Sequence, residues 1–180
     1  GRLYNSEQHK SGVCLKLGNY SNLAIEGELA VILKRTPKSA DFTQSGIPPC
    51  VSSIVPVIEL HNHVMHGTPP SAGELIANNA IHAGFVLGGT TERSDRLDTL
   101  ELSILIDDNC FTTCKGSQLI ETIQSSLQWL QESLKKTGDQ LQEGQIILTG
   151  SIPSLIPIKQ ECTVTIDAPP FGTTIASFVN

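Results

Sequence analysis

Two glutamates one residue apart, Glu26 and Glu28, sit inside the apolar run AIEGELAVIL of residues 24–33. Side chains alternate faces along a strand, so an i, i+2 pair shares one side with its charges close together. Such carboxylates repel each other, and they are tolerated on a solvated edge face or where a cation between them lowers the cost of keeping both ionised. A third carboxylate, Glu59, stands near the end of the next apolar run, VSSIVPVIEL. Three carboxylates from two strands make a hard, oxygen-only donor set, which suits Mg²⁺ or Mn²⁺ far better than zinc.

A rival donor set follows at once in His61-Asn62-His63-Val64-Met65-His66. His-x-His on a strand turns two imidazoles to one face, where they could bind zinc or iron as in cupins. The Glu that closes the cupin pattern is displaced here to Glu74, beyond two prolines. The other reading is that these histidines line a polar cleft.

The elements that must position these groups come next. A polar, turn-rich opening leads to a strand over Ile25–Leu33, and a second strand is expected over Val51–Leu60, with Pro56 marking an edge or a bulge. Gly67-Thr68-Pro69-Pro70 breaks the pattern, and Ser71-Ala72-Gly73-Glu74 has the form of a capping box opening a short helix. Leu100, Leu102, Ile104 and Ile106 alternate with polar residues before Asp107-Asp108-Asn109, as in a strand entering a hairpin. Gln118–Lys136 is the longest expected helix, with Leu127 and Leu130 buried and Gly138 just beyond its end. Short apolar stretches at Gln145–Leu148, around Pro153 and Pro157, and at Cys162–Ile166 complete a β-rich α+β domain with one long covering helix.

At 180 residues and 39% hydrophobic content the chain is long enough for one domain with a real core. A net charge of −6 without any Lys/Arg cluster argues against nucleic acid or anionic membrane as a partner, and a small anionic substrate would need a metal or local cations. No apolar run approaches a membrane span and no leader is visible, so a cytoplasmic protein is expected. The five cysteines show no zinc-ligand spacing and read as buried, reduced thiols. Gly1 rather than Met stands first, as in a processed or trimmed chain.

Several motifs, in order, resemble the fumarylacetoacetate hydrolase superfamily and, within it, the 2-keto-4-pentenoate hydratase and 4-oxalocrotonate decarboxylase branch. IEGELAVIL resembles its Glu-x-Glu strand, VPVIEL its third-ligand strand, and IANNAIHAGFVLGG its Asp-Asn-Ala segment. LQWLQESLKKTGDQLQEGQIILTGSIPSLIPI resembles its helix, Gly-Asp turn and Thr-Gly strand. The resemblance implies a mixed β-sheet roll of the family's C-terminal type over residues 1–180, without the family's N-terminal segment. It implies that Glu26, Glu28 and Glu59 hold Mg²⁺ or Mn²⁺, and that Asn62, Asn79, Thr149 and Gly150 border a small 2-oxo acid. Such a metal would chelate the carboxylate and 2-oxo oxygen and stabilise an enolate. A homo-oligomer is expected by the same resemblance.

The departures from the family concern proton chemistry. The branch carries a catalytic Lys in a Gly-x-Lys-x-Gly-type segment, and neither Lys10 nor Lys16 lies in one. Asn62 and Asn78 stand where the branch has Asp, Ile81-His82 where it often has Ser-Ser, and Ile123 where it has Pro. His82, and then His61, are the residues left to move a proton. The reading is therefore a metal-dependent lyase of hydratase or decarboxylase type. The alternatives are an acylpyruvate-type C–C hydrolase, or an inactive structural subunit that keeps the fold.

Overall fold

The computed structural model describes all residues except 66–69, 90, 93–96 and 98, and only the backbone at 91–92. The Gly67–Pro69 break and His66 therefore lie outside the described residues.

In chain order the elements are β1 (Gln8–Lys10), β2 (Val13–Lys16), β3 (Leu23–Leu33), β4 (Val51–Asn62), α1 (Ala72–Ala77), β5 (His82–Leu87), β6 (Thr91–Glu92), β7 (Glu101–Ile106), β8 (Asn109–Lys115), α2 (Gly116–Lys136), β9 (Ile146–Leu148), β10 (Ile156–Pro157), β11 (Cys162–Asp167) and β12 (Thr173–Val179). They form two mixed sheets. One is built on the path β1-β5-β4-β3-β10, with β6 on β4 and β9 on β3; the other runs β2-β12-β11-β7-β8. The polar opening holds two strands, β1 and β2, which the sequence pattern did not show. Each pairs in parallel with a strand remote in sequence, β5 and β12 respectively.

β3 and β4 pair antiparallel along their length, with Glu26 opposite Glu59 and Gly27 opposite Ile58. Alternation divides the pair into a dry face and a wet one. Ile25, Leu29, Val31, Ile58 and Leu60 join the core shared with the second sheet, while Glu26, Glu28, Glu59 and His61 fall on the other side. Gly27 explains how the sheets approach so closely between the two glutamates: a Cβ there would lie 2.7 Å from Cδ1 of both Ile104 and Ile166.

Pro56 is not on an edge, because β4 is flanked by β3 and β5. On the β5 side, β5 pairs with Val57–His61 and β6 with Ser53–Ile54, so Pro56 falls in the gap between them. Its carbonyl faces that gap and accepts from Gly88 N–H and Thr174 Oγ, so the missing donor costs no ladder bond.

The Asp107-Asp108 hairpin forms as expected, with φ of 48° and 62°, a pair of left-handed residues that matches the twist of the flanking strands. Ser71 and Glu74 cap α1 reciprocally. Helix α2 buries Leu119, Ile123 and Leu127, but the next buried position on that row is Gln131; Leu130 is only partly buried. The Gln131 amide oxygen accepts the Leu141 N–H, which satisfies its burial. Past α2, Gly138 at φ 81° closes the helix, with Asp139 N–H on the Leu134 carbonyl. No disulfide forms among the five cysteines, but only Cys50 and Cys114 are buried; Cys14 and Cys110 are exposed, and Cys162 is intermediate.

Among the described residues, no helix is long and apolar enough to cross a membrane.

Candidate functional site

The wet face of β3, β4 and β5 forms one wall of a cavity of about 1380 Å³. Residues from the chain start, Asn79–Ala80, the exposed flank of α2 and the 139–150 segment enclose it. Phe85, from β5 opposite Glu59, and Leu148 from β9 supply apolar floor.

Glu26, Glu28, Glu59, His61 and His82 all line this cavity. β4 extends through His61, so His61 lies two residues beyond Glu59 on the same face. Its Nε2 is 3.3 Å from Glu26 Oε2 and 3.5 Å from Glu59 Oε2. Donor atoms of Glu26, Glu59 and His61 lie within 4.8 Å of one another, a spacing that could hold a metal ion. His82 enters across a register shift in the β4–β5 pairing and places Nδ1 2.6 Å from Glu59 Oε1.

Electrostatics follow from this crowding. Burial, reinforced by the charges of Glu59 and Glu26, raises the Glu28 carboxyl well above the usual carboxylate range, although it accepts the Gly150 N–H at 2.9 Å. Burial would also raise Glu59, yet hydrogen bonds from His61 and His82 outweigh it and bring Glu59 down to about 2. Burial opposes a proton on His61, but Glu26 and Glu59 prevail and raise it to about 10. The wall thus carries more carboxylates than it keeps ionised unaided, and it draws a proton onto His61 as a substitute cation. Hard oxygens in surplus over local positive charge fit a divalent metal.

His82 is walled in. Among the described residues its Nε2 has no hydrogen bond and stands 3.7 Å from Glu7 Oε2, itself a buried atom without a hydrogen-bond partner there. Gly84, at φ 135°, permits this approach: a Cβ there would meet the Glu7 carbonyl at 2.8 Å. Just before His82, Asn79, Ala80 and Ile81 have φ of 52°, 60° and 56°. Three successive left-handed residues without a glycine cost about 1–2 kcal/mol each, strain of the kind that collects at functional sites.

The expected substrate-side residues divide. Thr149 lies in the wall with its hydroxyl on the Leu29 carbonyl, and Gly150 orients Glu28. Asn79 lines the cavity, but its side chain exchanges two hydrogen bonds with the Arg2 backbone. Asn62 is not brought to the cavity. Alternation turns it away from His61, and its Oδ1 accepts from the N–H groups of Ser21 and Asn22. His63 follows the end of β4 and joins no metal-like cluster among the described residues, so His-x-His does not converge as a pair. Arg2 and Glu7 went unnoticed in the sequence, since a polar opening without periodicity offers no signal for either.

The family model described as the C-terminal region of fumarylacetoacetate (FAA) hydrolase matches residues 8–179. The chain is 28% identical over 163 residues to the 2-oxo-hept-4-ene-1,7-dioate hydratase of Escherichia coli, covering 86% of this chain and 61% of that protein. It thus spans about three fifths of that relative's length. A 4-oxalocrotonate decarboxylase from Pseudomonas putida G7, complexed with magnesium and adipate, shares the fold at a TM-score of 0.83 and 19% identity, over 97% of this chain and 67% of that one. A fumarylpyruvate hydrolase from Pseudomonas aeruginosa, in complex with Mn²⁺ and pyruvate, shares it at 0.71 and 12% identity, over 96% and 73%.

Proposed function

Since the chain belongs to the fumarylacetoacetate hydrolase C-terminal family, we propose that it is a divalent-metal-dependent lyase of hydratase or decarboxylase type acting on a small 2-oxo acid. The observation that carries this reading is the convergence of Glu26, Glu28 and Glu59 on one cavity wall. The names of the E. coli and P. putida relatives and the ions in the two similar structures support it. Held by the three glutamates, Mg²⁺ or Mn²⁺ would supply Lewis-acid polarisation of the carbonyl.

This chain's own residues do the rest. Gly150 N–H fixes the Glu28 carboxylate, and the Thr149–Gly150 segment borders the substrate. His82, with Nδ1 tied to Glu59 and Nε2 facing Glu7, is the first candidate to hold and move a proton; His61 is the second. Residues 1–180 act as one catalytic domain in a cytoplasmic homo-oligomer, and light scattering showing a pure monomer would remove the oligomer.

Calorimetric titration with Mn²⁺ tests the metal reading: each of Glu26→Gln, Glu28→Gln and Glu59→Gln weakens binding, and three variants that bind like the parent would refute it. Turnover of a panel of 2-oxo acids, with His82→Ala and His61→Ala alongside, tests the chemistry. A protein that binds metal but consumes none is a non-catalytic member. A second reading, hydrolysis of an acylpyruvate, is supported by the fold shared with the fumarylpyruvate hydrolase that holds Mn²⁺ and pyruvate. Product analysis separates the two: cleavage to pyruvate and an acid marks the hydrolase, and a hydrated or decarboxylated product the lyase.

A further inference from the structure

The notch between the start of β3 and the end of β4 contains a donor that is not an oxygen. Among the described residues, the possible metal ligands whose donor atoms crowd within 4.8 Å of one another are Glu26, Glu59 and His61. His61 is 7% exposed, and its Nε2 faces two carboxylate oxygens, Glu26 Oε2 at 3.3 Å and Glu59 Oε2 at 3.5 Å. Its Nδ1 is buried and has no hydrogen bond among the described residues, so the carboxylates are the polar surroundings at which this ring is aimed. The β4–β5 register shifts between Leu60 and His61, an irregularity of the kind that re-aims a side chain beside a functional site.

The distances decide between two roles for the ring. A hydrogen bond between an imidazolium and a carboxylate closes to about 2.7–2.9 Å; the one from His82 Nδ1 to Glu59 Oε1 is 2.6 Å. Both His61 contacts are longer, and Nε2 carries at most one hydrogen to share between them. Bonds of about 2.0–2.2 Å from a divalent ion to nitrogen and oxygen set neighbouring ligand atoms about 3 Å apart at a right angle and about 3.4 Å apart at a tetrahedral one. Spacings of 3.3 and 3.5 Å therefore suit atoms that share an ion better than atoms that share a proton. Glu59 is divided as this requires: His82 holds Oε1, which leaves Oε2 for the notch, and such support of a ligand from outside is usual at metal sites. Glu28 is more deeply buried, at 2% exposure, and its Oε2 accepts the Gly150 N–H.

An imidazole nitrogen changes what the site prefers. Carboxylates alone suit Mg²⁺ and Mn²⁺ alike, whereas nitrogen donors favour first-row transition ions over Mg²⁺, which keeps to oxygen. We propose that His61 Nε2 is a metal ligand alongside Glu26 and Glu59, and that this mixed nitrogen–oxygen set selects Mn²⁺ over Mg²⁺. This rests on the metal-dependent reading above. It takes His61 out of proton transfer and leaves His82 for that task.

The test is electron paramagnetic resonance of Mn²⁺ bound to protein carrying ¹⁵N-labelled histidine, beside calorimetric titrations with Mn²⁺ and with Mg²⁺. The parent shows the coupling of one directly bound ¹⁵N nucleus, and His82→Gln keeps it. His61→Gln, which offers an amide oxygen at a similar reach, loses the coupling. It also binds Mn²⁺ about tenfold or more weakly, no less than the loss of a group that merely supports a ligand costs, while its Mg²⁺ affinity changes little. Thermal melts check folding, and His61→Val stands in should the glutamine variant melt early. Mn²⁺ bound to the parent without nitrogen coupling overturns the assignment, as does a coupling that survives the loss of His61 or vanishes in His82→Gln. Equal losses of Mn²⁺ and Mg²⁺ affinity in His61→Gln overturn it too, and each of these results leaves the metal-dependent reading in place. If the parent binds no Mn²⁺, both fall together.

Discussion

Gly27→Ala is the substitution whose consequence the structure specifies most closely. The added Cβ would lie 2.7 Å from Ile104 Cδ1 and from Ile166 Cδ1, and 2.9 Å from Ile104 Cγ1. Carbon atoms rest about 3.5–4.0 Å apart, so each isoleucine must withdraw by roughly 1 Å. Both are fully buried, at 0% exposure, and have little room to do so. Overpacking of this kind costs ~1–3 kcal/mol, or roughly 2–12 °C in midpoint for a domain of this size. Because the same residue separates Glu26 from Glu28, a strand pushed outward also shifts both carboxylates, and Mn²⁺ affinity falls with stability. The decisive assay is a mutant cycle in urea. Ile166→Val and Ile104→Val each remove one offending Cδ1, together leaving only the Ile104 Cγ1 contact at 2.9 Å; alone each costs about 0.5–1.5 kcal/mol, but in the Gly27→Ala background they recover part of the lost stability. A Gly27→Ala protein as stable as the parent, or valines that add their cost instead of relieving it, would refute the claim that sheet contact dictates the glycine.

Three other outcomes are expected. Glu28 has its folded pKa raised, so without metal it destabilises the protein above its unfolded pKa; Glu28→Gln therefore raises the melting temperature at neutral pH, flattens its decline with rising pH, and loses the gain when Mn²⁺ is added. Asp41 has its folded pKa lowered by hydrogen bonds from Arg35 and the Lys38 N–H, so its contribution is present above the unfolded value of about 3.9 and disappears as pH falls through the folded one. Melts of Asp41→Asn consequently lie below the parent at pH 7 and converge with it in acid. Leu127→Ala, at a fully buried position on α2, costs ~2–5 kcal/mol in chemical denaturation, and Leu130→Ala costs less.

Period-two alternation made the glutamate strands legible, and the same rule that put Glu26 with Glu28 also put His61 with Glu59. It equally turned Asn62 away, a consequence hidden while the end of the strand was unknown. Helical spacing located α2 to within two residues, but the choice between Leu130 and Gln131 for the buried row depended on a partner, the Leu141 N–H, that lies outside the helix. Pro56 misled because edge and centre are properties of neighbours; what matters is that β5 stops and β6 starts on either side of it. β1 and β2 are three and four residues long and owe their existence to β5 and β12, so no local pattern announces them. Arg2 and Glu7 came into view only when those distant pairings brought the chain start beside His82.

The division of β3 and β4 into a dry and a wet face bears on how the chain finds its fold. If β3 slipped by one residue against its neighbours, Glu26 and Glu28 would turn into the space now filled by Ile104 and Ile166, and Ile25 and Leu29 would turn outward. Burying carboxylates without partners costs several kcal/mol apiece, far more than a slipped ladder recovers in backbone bonds. The carboxylates that line the cavity therefore also disfavour misaligned hairpins before the second sheet closes over them. Neutralising all three glutamates would relax that check, and the expected symptom is slower, more heterogeneous refolding and greater loss to aggregation, even where the finished protein is no less stable.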